Sequence, residues 1–410
     1  MPDMPPIESW LQLDLNRPDE LNTPALLIDS QLVDENISEM LRTVGGDAHA
    51  KRLCPHIKTT KSPDVIREML KRGVRSFKAS TVAEVELAAS AGADQILLAH
   101  PVVPAKWMAL ERLHARFPEV ELAVISDDSS MIDWLNQRMP DHRDRNERSI
   151  RVLIDVDCGM HRTGAPLVKS DHGTSVLDLW NAIRSSPHLD FGGFHVYDGH
   201  VHQGDRGARE NAVRQIWNDL NHVIEDIATR SGWNRDHVGK SAGSESTSPT
   251  IIVGGSPTFP IWSQIVLHES NPSHTNPFFW KFSPGTTTYW DYGYAGLYPE
   301  LKFKIATAVV TSVISRPGNR RLCLDLGTKS VATEMPLKER VWIPQFPGAR
   351  CVVQNEEHLV IECADAKSIP IGTRVLAFPR HVCPTIARYP SGTLVRCGEI
   401  TNHRWEVLAR

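Results

Sequence analysis

From residue 25 the sequence alternates, eight times over, between a short apolar run and a longer stretch, and this rhythm limits the possible folds more than any other feature. The runs are "ALLID" (25–29), "KRLCPHIK" (51–58), "SFKAS" (76–80), "QILLAH" (95–100), "ELAVIS" (121–126), "RVLIDVD" (151–157), "FGGFHVY" (191–197) and "TIIVGG" (250–255). Most are apolar on both faces, as a strand covered on each side must be. Between them lie helical segments such as "STVAEVELAASAGA", where Ser80 is placed to cap the start and Gly92 the end. "ARENAVRQIWNDLNHVIEDIATRSG" is a longer one, with apolar positions at helical spacing. Eight such units predict an α/β fold, a TIM (β/α)8 barrel; a doubly wound open sheet is the alternative.

After about residue 285 the period changes. "KFKIATAVVTSVIS", "RRLCLDLG", "RCVVQNEEHLVIECA", "TRVLAFPRHV" and "GTLVRCGEITNHRWEVLA" are β-rich, with turn signals between them. The expected organisation is a segment over 1–24 that joins the β domain, a barrel over 25–284 and a C-terminal all-β domain over 285–410. "GKSAGSESTSPT" (239–250) reads as a loop before the eighth run.

Composition narrows the function classes. A hydrophobic share of 41% with 23% charged residues suits an ordinary globular protein, and a net charge of -4 gives no reason to expect nucleic acid or an anionic membrane as partner. The apolar runs are too short and too broken to span a bilayer. "MPDMPPIESW" lacks the basic start and apolar stretch of a signal peptide. Seven scattered cysteines argue against a disulfide framework, so a cytoplasmic location is expected.

In a barrel the working face is the C-terminal end of the strands. "PHIK" puts His56 and Lys58 at one such end, two residues apart and so on one side of an extended chain. A strand-end lysine can simply reach into solvent; in a desolvated mouth near other cations it becomes a nucleophilic amine. "VGGSPT" (253–258) follows the eighth run. There Gly254 and Gly255 let the backbone approach an anion, and Ser256 and Thr258 can donate to it. "RVLIDVDCGMHRTG" brings Asp155, Asp157, His161 and Arg162 to a strand end, either as caps and salt bridges or as a guanidinium aimed at a cofactor ring. A phosphate loop, a strand-end lysine and an arginine on one face are what pyridoxal phosphate needs. In "FPRHVCPT", His381 and Cys383 are two apart, and imidazole with thiolate suits zinc, although two ligands make half a site.

Together these segments resemble the fold-type III pyridoxal-phosphate enzymes, and within them the D-threonine aldolase and eukaryotic-type D-serine dehydratase group, relatives of alanine racemase. "PHIKTTK", "FKASTVAEVELAASAGADQILLA", "DVDCGMHRTG", "FHVYDGH", "VGGSPT", "SPGTTTYWDYGY" and "DLGTKS" carry the resemblance, in the family's order. It implies pyridoxal 5'-phosphate held covalently by Lys58, with Arg162 against its ring, Tyr197 on the same face, and phosphate contacts from Gly254, Gly255 and Ser256. It implies a divalent metal (Zn, or Mn or Mg) on His381 and Cys383, over the cofactor, binding the substrate's β-hydroxyl. It also implies a homodimer.

Two departures bear on the reaction. Thr59-Thr60-Lys61 stands where the family often has Thr-His-Lys, so the base falls to His56, His200 or His202. The His-x-Cys pair looks like the dehydratases, whereas "YDGH" looks like the aldolases. The expected function is retro-aldol cleavage of a 3-hydroxy-D-amino acid to glycine and an aldehyde. The alternative is dehydration, of the D-serine or 3-hydroxyaspartate type, to a 2-oxoacid and ammonia. Racemisation, a non-catalytic cofactor carrier and a cofactor-free hydrolase rank below both.

Overall fold

A computed structural model of the chain describes residues 7–16, 21–139, 150–167, 174–231, 249–269 and 278–408. Contacts divide it into two units, one of Leu41–Ile57 and Met69–Gly285, the other of Met1–Met40, Lys58–Glu68 and Thr286–Arg410. Most of the loop expected over 239–250 lies outside the described residues.

In the first unit seven parallel strands run in the order Ser76–Ala79, Gln95–Leu98, Glu121–Ser126, Arg151–Asp157, Asp190–Val196, Thr250–Val253 and Phe279–Phe282. A two-residue strand, Ala165–Pro166, adds to Arg151–Asp157. The eighth place in the ring is filled by an irregular segment. Leu53 bridges Phe282 on one side and His56 bridges Lys78 on the other, both in parallel. The Cys54 N–H donates to the Phe282 carbonyl at 2.8 Å, and the Lys78 N–H to the Pro55 carbonyl at 2.9 Å. Proline at 55 has no N–H, so a full ladder cannot form there. The barrel interior is packed: Cys54, Leu97, Ile125, Leu153 and Ile252 form one buried cluster, the layered filling such barrels use.

The ring has eight places, but one member differs from expectation. "ALLID" is not a barrel strand: Ala25–Asp29 pairs antiparallel with Thr307–Ser315 and parallel with Ser391–Arg396, in the sheet of the other unit. Phe279–Phe282 supplies the missing strand. The barrel therefore does not begin at residue 25. A helix expected to be capped by Ser80 begins instead at Val82 with Thr81 as its cap, the Glu84 N–H donating to Thr81 Oγ1 at 3.1 Å. Its end at Gly92 is as expected, with the left-handed φ of +100° that glycine tolerates.

The second unit is built on a nine-stranded, mostly antiparallel sheet. Its main path runs Arg350–Gln354, Leu359–Glu362, Arg321–Leu324, Thr307–Ser315, Ala25–Asp29, Ser391–Arg396 and Glu399–Glu406, with Arg374–Pro379 also paired to Thr307–Ser315. Among the described residues no helix is long and apolar enough to cross a membrane.

At the N-terminal end of the barrel strands, Lys281 is buried and its Nζ donates to Ser76 Oγ at 2.6 Å and to Gln95 Oε1. Both partners are neutral, and burial pushes the Lys281 ammonium below the usual lysine range. Between that lowered value and the unfolded value of ~10.4, the unfolded chain binds the extra proton, so stability should rise with pH across this window. Urea unfolding should show that rise in the wild type and a flatter profile in Lys281→Met.

Candidate active site

The residues singled out in the barrel unit gather at the C-terminal ends of its strands. The Tyr197 ring, just past Asp190–Val196, carries the Lys78 ammonium at 5.1 Å and the Arg162 guanidinium at 5.1 Å from its centroid. Lys78 is fully buried and its Nζ also donates to Ser283 Oγ at 2.6 Å. Two cations on one aromatic ring make a strongly positive corner.

The turn after Thr250–Val253 lies against the same ring. Gly254 has a φ of +80°, and a Cβ there would meet Trp262 at 2.9 Å. A Cβ on Gly255 would stand 3.4 Å from the Tyr197 ring. The glycines thus leave a cradle that any side chain would fill. Trp262 locks the turn by donating from Nε1 to Asp198 Oδ2 at 2.7 Å. Burial pushes the Asp198 carboxyl up, against the lowering effect of hydrogen bonds from Trp262 and Thr258. The two expected anion donors both accept backbone hydrogen bonds. The Thr258 hydroxyl accepts from the Gly255 N–H at 3.1 Å, and Ser256 Oγ accepts from the Gly285 N–H at 3.1 Å.

Asp155 and Asp157 divide their roles. Asp157 closes the following turn, its Oδ1 accepting from the Gly159 and His161 N–H groups at 2.9 and 3.0 Å and its Oδ2 pairing with His161 Nδ1 at 2.7 Å. Asp155 lies in register beside His195 and accepts from its Nδ1 at 2.7 Å, both side chains buried. Burial holds the His195 ring below its usual pKa despite that carboxylate, so Nε2 is the bare nitrogen; it is buried and, among the described residues, has no hydrogen-bond partner. His195, Asp155, Arg162 and Tyr197 line one small cavity. Nothing in "FGGFHVY" alone marks His195; the signal was a polar residue mid-run on each of two neighbouring strands.

The candidate histidines separate. His56 Nδ1 donates to the Lys78 carbonyl at 2.9 Å, which leaves Nε2 to accept from the Ser80 hydroxyl at 3.0 Å. Both nitrogens of His56 are thus engaged in hydrogen bonds. His200 packs on the turn at Gly159, and its Nδ1 is buried without a hydrogen-bond partner among the described residues. His202 is exposed.

In the sheet unit, Lys58 follows directly on Ile57, which ends the irregular eighth member of the ring, and is itself half-buried. The hydroxyl of its neighbour Thr59 lies 3.0 Å from Cys383 Sγ, and that of Thr286 lies 3.6 Å away. His381 follows Arg374–Pro379 and donates from Nδ1 to Glu334 Oε1 at 3.0 Å. Burial pulls the His381 imidazolium down, but the Cys383, Asp291 and Glu334 charges outweigh it and lift the pKa to about 9. Burial pushes the Cys383 thiol up, yet His381, Lys58 and Thr59 bring it net below the usual range. This is an imidazole and an activated thiol side by side. Among the described residues, no three or more His, Cys, Asp and Glu side chains gather into a metal cluster.

The model of the alanine racemase N-terminal domain matches residues 28–250. The chain belongs to that family. A second model, "Putative serine dehydratase domain", matches residues 306–395. The chain is 28% identical to a D-threonine aldolase of Arthrobacter sp, over 95% of its length and 93% of the relative's. It is 24% identical to a D-threo-3-hydroxyaspartate dehydratase of Delftia sp. (strain HT23), over 90% and 93%. The solved D-threonine aldolase of Filomicrobium marinum superposes with a TM-score of 0.74 at 23% identity, covering 94% and 95% of the two chains. Two solved variants of a D-threo-3-hydroxyaspartate dehydratase superpose with TM-scores of 0.72 and 0.70, each at 21% identity over 95% of this chain and 98% and 95% of theirs. One replaces a cysteine by alanine and is in the metal-free form; the other replaces a histidine two positions earlier. These likenesses place the family's fold on both units.

Proposed function

We propose that the chain is a pyridoxal-phosphate- and metal-dependent lyase that cleaves 3-hydroxy-D-amino acids by retro-aldol reaction to glycine and an aldehyde. The observation that carries the reading is the contact of Thr59 with Cys383 at 3.0 Å. It sets the imidazole–thiol pair one residue from Lys58. An amine for the cofactor and a metal pair for a hydroxyl belong to a lyase acting at Cβ; a racemase has no use for the pair. The match to the Arthrobacter D-threonine aldolase over 95% of the chain supports the same reading.

The residues fit both groups. The Gly254–Gly255 cradle suits a phosphate, and the positive corner at Arg162, Lys78 and Tyr197 suits an anionic ring. Bound pyridoxal phosphate supplies the electron sink for the bond broken at Cα. His381 and Cys383 are the residues that would hold a divalent cation, and when bound it would supply a Lewis acid for the substrate hydroxyl. Lys58 carries the cofactor. Arg162 and Tyr197 orient it, Gly254 and Gly255 admit its phosphate, and Ser256 and Thr258 hold the turn that does so. His200, with an unpartnered buried Nδ1, is the base for the β-hydroxyl proton, the position filled by Thr60 being unable to serve.

Dehydration to a 2-oxoacid and ammonia is the second reading, favoured by one observation. His381 and Cys383 have the spacing of the histidine and cysteine replaced in the two dehydratase variants, one of them metal-free. D-Threonine separates the readings: glycine and acetaldehyde mark the aldolase, 2-oxobutyrate the dehydratase. No turnover of D-threonine, D-serine or 3-hydroxy-D-aspartate, with cofactor and metal added, would remove both. A homodimer in the cytoplasm accompanies the proposal, and light scattering of the purified protein tests the first part.

A further inference from the structure

We propose that Glu334 is the positioning residue of the metal pair, holding the His381 ring so that Nε2 is the nitrogen offered to a divalent cation. The inference rests on the metal reading above. A carboxylate can only accept, so the 3.0 Å contact to Glu334 Oε1 places the ring hydrogen on Nδ1. Nε2 is then the coordinating atom, and the carboxylate behind the ring raises its basicity.

A half-exposed His–Glu pair would ordinarily carry little weight, and these side chains are 43% and 40% exposed. What sets this pair apart is how firmly both members are held. The Arg340 guanidinium grips the carbonyls on either side of Glu334, donating to Thr333 O at 2.9 Å and to Met335 O at 2.8 Å. Its remaining nitrogen donates to Gln354 Oε1 at 2.7 Å. One planar fork thus fixes the backbone flanking the carboxylate.

The histidine is tied to the same framework. The Arg340 carbonyl accepts from the Arg380 N–H, next to His381, at 2.9 Å. Thr385 Oγ1 donates to the His381 carbonyl at 3.2 Å and accepts from the Ala332 N–H at 3.3 Å, so it joins the helix start to the Glu334 loop. Asp291 Oδ2 accepts from the Val382 N–H at 3.1 Å, between the two ligands. A backbone pinned at these points, with the ring tied to Glu334 at Nδ1, leaves the ligand little freedom to lose when it takes a cation, which is what preorganisation requires.

The test titrates Zn2+ or Mn2+ alone, in competition with a chromophoric chelator, into the cofactor-loaded protein. Glu334→Ala should bind about tenfold to a hundredfold more weakly than wild type, with the visible absorbance of the bound cofactor unchanged. Glu334→Gln, whose amide oxygen still accepts from Nδ1–H, should keep most of the affinity; a merely structural loop contact would not show this pattern. Wild-type affinity in Glu334→Ala, with binding lost in His381→Ala, would overturn the positioning role and leave the metal pair standing. Wild-type affinity in His381→Ala would overturn both. Should Glu334→Ala fail to fold, Arg340→Lys keeps the carboxylate but cannot hold both carbonyls; weaker binding supports the role, and unchanged binding refutes it.

Discussion

Lys58→Ala should yield a colourless protein with turnover on D-threonine reduced by at least about 10³-fold, within the range expected when one acid–base group is removed, and more if the cofactor no longer binds. Two physical facts make position 58 the one to test. It follows Ile57, which ends the irregular eighth member of the barrel ring, and its half-buried amine acts on the Cys383 thiol, whose pKa it helps to lower. The buried amine of the barrel unit, Lys78, donates to Ser283 Oγ at 2.6 Å and lies over the Tyr197 ring. Borohydride reduction of the loaded protein should therefore fix the cofactor to the peptide carrying Lys58 and leave Lys78 and Lys61 unlabelled. Lys58 is half-buried and not part of the apolar core, so the melting temperature of the cofactor-free variant should stay close to that of the cofactor-free wild type. A coloured, active Lys58→Ala would end the cofactor assignment as made here.

The parts of this site readable in advance are those whose chemistry is local. A glycine pair after a strand, an arginine two residues before a glycine and a His-x-Cys need only their neighbours to be recognised, and each lies where a strand ends. Strand partnership is not local. "ALLID" and "FFWKF" are both short apolar runs, and nothing in either says which sheet it joins; Ala25–Asp29 is decided by pairing with residues 279 or more positions away. The cap at Thr81 in place of Ser80 is a one-residue contest between two hydroxyls. It is settled because Ser80 is taken by His56 and by Glu84, its N–H donating to Glu84 Oε2 at 2.6 Å. His195 and Glu334 were missed for the same reason as the strand. Each acquires its meaning from a partner on another element, Asp155 in one case and His381 in the other. Thr59 is the instructive case. The family pattern drew attention to Thr60, yet it is the threonine before it that touches the cysteine.

His381→Ala should lose roughly 10²- to 10⁴-fold in turnover while keeping the visible absorbance of bound cofactor, since a Lewis acid is worth several kcal/mol and each 1.36 kcal/mol is a factor of ten. The dissociation of the two readouts follows from where the groups sit in the sequence of events. On the proposed reading Lys58 would hold the cofactor without help from position 381, whereas breaking a bond at Cβ would need the cation. Cys383→Ala should behave alike, and for a further reason. His381 and Cys383 shift each other's pKa in the directions expected of a thiolate–imidazolium pair, the histidine up to about 9 and the thiol down. Removing either one leaves the other with an altered charge and half a site. The double variant should therefore lose little more than the worse single variant, because residues that act as one unit are not additive. Steady-state kinetics with added Zn2+ or Mn2+ decides it. If the two losses multiply in the double variant, the histidine and the cysteine work separately, and a shared cation is not what joins them.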